Sequence, residues 1–171
     1  AQEPQRDVQA EGDTATGSRP VLRCLADVHA EAVRWLWPGR VALGKLTLLA
    51  GDPGLGKSLI TLDMAARVSR GVGWPDCPGK RQEPGVVVLL SAEDGLADTI
   101  RPRLDAAGAD VNRITALDAV VVQDESGERE DGFRLGSDLG ALEAAIRQTP
   151  DCRLVVVDPV TAYLGTTDSH K

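Results

Sequence analysis

The sequence predicts an α/β fold, a mostly parallel twisted sheet flanked by helices, on three observations. Residues 51–58 read Gly51-Asp52-Pro53-Gly54-Leu55-Gly56-Lys57-Ser58, filling every fixed position of the phosphate-loop pattern GxxxxGK[ST]. Short apolar runs at 45–50, 86–91 and 154–158 have the character of strands buried on both faces. Between these runs lie stretches of helical periodicity, so strands and helices alternate and ligands belong at the carboxyl ends of the strands.

Taken in order, residues 1–20 are polar and acidic with almost no large apolar side chain, which predicts a disordered leader ahead of one domain over 21–171. The segment 21–31 predicts a short strand or helical turn. Val33, Trp35 and Trp37 alternate with Arg34 and Leu36 and predict an edge strand stopped by Pro38-Gly39. The first core strand, 45–50, feeds the glycine loop. Leu59, Ile60, Leu62, Met64, Ala65, Ala66 and Val68 then recur at helical spacing, predicting a helix over 57–70. Residues 71–85 are rich in Gly and Pro and predict a loop. A second strand is expected at 86–91 and a helix over 94–107 that Pro102 kinks or shortens. A third strand region is expected within 113–123 and a solvated acidic loop over 124–138. A helix over 139–148 and a strand at 154–158 complete the reading.

Composition bounds the function. The chain has 171 residues and a net charge of −7, with 3% aromatic residues. It suits one domain with an aliphatic core, and its charge excludes a general polyanion binder. Cys24, Cys77 and Cys152 are scattered with no CxxC pair, which argues against a disulfide framework or zinc site and for a reducing cytoplasm. No apolar run approaches the ~18 residues a membrane span needs, so no membrane partner is expected.

The chemistry follows from the loop. Glycines let successive N–H groups turn toward a phosphate chain, and the helix that begins there adds its positive dipole end. Gly51, Asp52, Pro53, Gly54, Leu55, Gly56, Lys57, Ser58 and Leu59 are the expected ATP contacts. Lys57 reaches the β- and γ-phosphates, and the Ser58 hydroxyl binds Mg²⁺. Arg153-Leu154-Val155-Val156-Val157-Asp158 is an apolar strand ending in a carboxylate. Its expected task is to hold Asp158 beside the loop as the second metal-orienting group. Pro159 follows, so no glutamate there can activate water. Glu93, in Ser91-Ala92-Glu93-Asp94 at the end of the second strand, is the candidate for that role. The alternative is that Glu93 and Asp94 only cap the following helix.

Together the 51–58 loop, Ser91–Asp94, Arg103-Leu104 and Leu154–Leu164 (LVVVDPVTAYL) resemble RecA-like ATPases of the RepA replicative-helicase type, a group that falls among AAA-family ATPases. The resemblance covers roughly 21–171. It implies a three-layer RecA-like P-loop NTPase fold, Glu93 as catalytic carboxylate and Arg103 near the adenine. It also implies a homo-oligomeric, hexameric ring and coupling to single-stranded DNA. Family members continue into further strands with a sensor residue, DNA-facing loops and an arginine finger. This chain ends thirteen residues after Asp158, at Lys171, and so reads as a partial sequence.

Other residues point to packing. Trp35, Trp37 and Trp74 are expected to cover the sheet edge and loop more than to stack on bases. Thr161 and Tyr163 are expected to pack, and His29 and His170 support no metal site. The functional expectation is Mg-dependent ATP hydrolysis. The competing readings are a small-molecule P-loop kinase and a nucleotide-binding module without catalysis.

Overall fold

The computed structural model describes residues 20–124 and 127–164. The predicted leader falls outside them, except for its last residue. Two compact units divide the chain, 1–32 and 33–171. In the first, the described residues contain one 3-10 turn, Leu25–Asp27, in the segment expected to hold a strand or a turn.

The second unit is organised on a three-stranded parallel sheet. Its central strand is β3 (Val86–Ser91), flanked by β4 (Ile114–Ala116) and β7 (Cys152–Asp158). Strand β3 is central because both of its faces are apolar. Val87 and Leu89 enter one core with Leu62, Ala65, Val68, Ile100, Leu104 and Val156. Val88 and Leu90 enter a second with Val120, Phe133 and Tyr163. A strand buried on both faces loses the polar alternation of a surface strand, and this made β3 legible. Helix α1 (Lys57–Arg70) supplies the first core. Leu142 of α3 (Leu139–Gln148) packs on the second.

Helix α1 ends at Gly71, whose φ of +64° closes a left-handed cap with its N–H donating to the carbonyls of Arg67 and Val68. The chain then folds back so tightly that a Cβ on Gly71 would collide with the Gln82 carbonyl and Pro84. Gly71→Ala therefore combines left-handed strain with a backbone clash, and a loss of about 3 kcal/mol is expected in urea unfolding. A loss under about 1 kcal/mol would show that the 71–84 loop moves freely aside.

A small antiparallel hairpin, β1 (Trp35–Trp37) with β2 (Val41–Ala42), forms where an edge strand was expected. It is held to the 71–85 loop by aromatic packing. Trp37 stacks on Trp74 at 4.6 Å, and the Trp74 indole N–H donates to the Leu36 carbonyl at 2.7 Å. Trp74 is only 1% exposed, so it is a core side chain, as expected. The Trp37 indole N–H and the Arg40 guanidinium both reach Asp76, at 2.8 and 3.2 Å. The indole bond, with the guanidinium's help, holds this carboxyl below its ordinary range.

Three expectations are corrected. Segment 45–50 is not a strand: it joins no ladder, and Leu46 and Leu48 are 98% and 73% exposed. An apolar run becomes a strand only when a neighbour supplies backbone partners, and none of the described strands lies against it. The outer edge of β7 is likewise unpaired among the described strands. Within 113–123 only β4 joins the main sheet. The rest forms β5 (Val120–Asp124), which pairs with β6 (Gly127–Asp131) as an antiparallel hairpin in place of the expected acidic loop. Its warrant is alternation: Val120 and Val122 turn toward the second core while Val121 stays exposed. The expected 94–107 helix is also remodelled. Its first turn, Leu96–Ile100, is wound as a π-helix before α2 (Arg101–Ala106) begins. Pro102 has no N–H to offer the Asp98 carbonyl, so α-helical bonding cannot run through this turn.

Candidate functional site

Helix α1 starts at Lys57, directly after Gly56, whose φ of +81° lets the loop swing into the helix; Gly54 has the same φ. No side chain caps this terminus. The first N–H groups of a helix have no intrahelical acceptor and sit at the positive end of its dipole, a setting for anions. Gly51, Asp52, Pro53, Gly54 and Leu55 are exposed, as is Leu59, whereas Gly56, Lys57 and Ser58 are half-buried. The Lys57 ammonium folds over the loop and donates to the carbonyls of Gly51 and Asp52, at 2.8 and 2.9 Å. Nothing lies within 4 Å of where a Cβ would stand on Gly54. The loop backbone is thus unobstructed at Gly54, with the Lys57 ammonium folded against it.

The carboxyl ends of the strands meet this helix start. Ser91 and Asp158 are register partners, the last residues of β3 and β7. Both line a narrow crevice with Ser58, Thr61 and Leu62 of α1. The Thr61 hydroxyl donates to the Ser58 carbonyl at 3.0 Å and stands 3.5 Å from Asp158 Oδ2. Ser58 and Asp158, expected as the metal pair, are therefore brought together. Thr61 was not anticipated, although its place three residues after Ser58 puts it on the same helix face.

Hard oxygen donors suit Mg²⁺: two hydroxyls, Ser58 and Thr61, and one carboxylate, Asp158. No thiol or imidazole lines the crevice, and no group of three or more His, Cys, Asp or Glu comes together among the described residues.

Glu93 is exposed, two residues beyond Ser91. Its segment is tied to the strand ends, for the Ala92 N–H donates to the Asp158 carbonyl at 3.3 Å. Arg103 does not stand free: its guanidinium donates to Asp94 Oδ2 at 2.7 Å. Tyr163 is buried edge-on against Phe133, as expected of a packing residue. Burial, then the charges of Asp118 and Asp158, pushes its phenol above the ordinary range.

No helix among the described residues is long and apolar enough to cross a membrane. No curated protein and no solved structure matches the chain. The family model described as "AAA domain" matches residues 20–171, nearly the full length. A match of that extent means that the chain belongs to the AAA domain family, which points to nucleotide binding and ATPase activity.

Proposed function

We propose that this chain binds ATP with Mg²⁺ at the 51–58 loop and hydrolyses it. One observation carries the reading: Ser58 and Thr61, at the start of the helix that leaves the loop, share a crevice with Asp158. A phosphate loop and a strand-end carboxylate are useful to a triphosphate only when they meet, and sequence distance alone does not guarantee it.

In this reading the N–H groups of the loop and of the helix start hold the phosphates, and Lys57 exchanges its two carbonyl partners for β- and γ-phosphate oxygens. Ser58 and Asp158 hold the metal. Mg²⁺, when bound, neutralises charge on the transferring phosphoryl group. Glu93 accepts a proton from water or polarises it. The resemblance to RepA-type helicases supports a wider proposal, that a protein containing this domain forms hexameric rings and couples turnover to single-stranded DNA in replication.

The test is phosphate release from ATP with Mg²⁺ or excess EDTA, with and without small hydroxyl acceptors. Metal-dependent release to water is the expected result. Transfer to an acceptor would make the domain a kinase. Tight binding without release would leave it a nucleotide-binding module.

A further inference from the structure

The 91–95 segment, which carries Glu93 between β3 and the helix, is tethered at four points. At its start the Ala92 N–H donates to the Asp158 carbonyl at 3.3 Å. In its middle the Ser91 hydroxyl donates to the Asp94 carbonyl at 3.4 Å. At its end the Gly95 carbonyl accepts from the N–H groups of Thr99 and Ile100, at 3.2 and 3.0 Å, which opens the π-wound turn. The fourth tether is the only one made by a charged side chain: Asp94 Oδ2 accepts from the Arg103 guanidinium at 2.7 Å across that turn.

This ion pair is short and half-buried. Its side chains are 40% and 31% exposed, so water still screens the pair and its contribution to folding is modest. What it does is geometric. Leu104, next to Arg103, is buried in the first core, so α2 is a fixed anchor. Asp94, next to Glu93, is thereby fixed to that anchor. We propose that Arg103 is a positioning residue: by holding Asp94 it sets where the neighbouring Glu93 carboxylate stands relative to the end of β7. The inference rests on Glu93 acting on water, as proposed above. It gives Arg103 a task different from contact with the base.

The experiment compares Arg103→Gln, Asp94→Asn and their combination in the full chain, by ATP turnover and by nucleotide affinity in calorimetry. A positioning role lowers kcat about 10- to 100-fold in each single variant, because small misplacements of a catalytic group cost that much. The double variant falls no further, nucleotide affinity stays within about twofold of the parent, and Arg103→Lys, which retains one charged donor, recovers most of the rate. If Arg103→Gln weakens nucleotide affinity tenfold or more while Asp94→Asn leaves it intact, Arg103 contacts nucleotide and the proposal is wrong. Rate losses that multiply in the double variant overturn it as well. Should the parent chain release no phosphate, the ATPase reading fails, and amide hydrogen exchange over 92–96 decides the positioning role. Exchange must quicken equally in both single variants and in the double; unchanged protection rejects the tether.

Discussion

Lys57→Ala is expected to weaken ATP binding by roughly 100-fold or more, the effect of losing charge-assisted bonds to phosphate. The ammonium bridges the Gly51 and Asp52 carbonyls, so it is already aimed across the mouth of the loop. Those carbonyls belong to exposed residues, and removing their donor leaves them to water at little cost. The variant should therefore fold normally, and the affinity loss reports phosphate contact alone. Calorimetry with ATP and Mg²⁺ measures it, with circular dichroism as the control for folding. Unchanged affinity in a folded variant would remove the phosphate loop from the account.

Glu93→Gln has the complementary signature. The amide keeps the size and much of the hydrogen bonding of the carboxylate but cannot take a proton. Turnover should fall by about 10²–10⁴, the usual worth of a general base, while ATP affinity is kept. Glu93 is exposed, two residues past the Ser91–Asp158 register pair, so the change creates no buried defect. Single-turnover phosphate release beside equilibrium binding separates the two quantities. A variant that turns over near the parent rate would leave Glu93 as no more than a residue ahead of the helix. Paired with Lys57→Ala, it divides grip on the nucleotide from chemistry upon it.

The two strands β3 and β7 were legible because valine and leucine occupy both faces without a polar break. Segment 45–50 carries nearly the same pattern yet lies exposed and unpaired. Hydrophobicity tells which faces want burial; it does not say whether a neighbouring edge is there to bond. In the 120–131 hairpin the first strand falls largely within the expected 113–123 strand region, and the second was hidden for the opposite reason. The second strand is nearly all charged, and the consecutive valines Val120–Val122 alternate in burial but not in sequence. At the site, the 51–58 loop could be read whole because its parts are contiguous. Thr61 beside Asp158, and Asp94 on Arg103, could not.

The glycine turn at 54–56, the helix that issues from it and the carboxylate at the end of an apolar strand were settled by local chemistry. Glycine conformation, helix periodicity and strand burial are properties of neighbours along the chain. Which strands pair, that Ser58 and Asp158 share one crevice, and that Arg103 spends its charge on Asp94 were decided only by folding. These contacts join residues as many as 100 positions apart. Their partners are chosen by the packing of α1 and α2 on the sheet, and no window of sequence contains that packing.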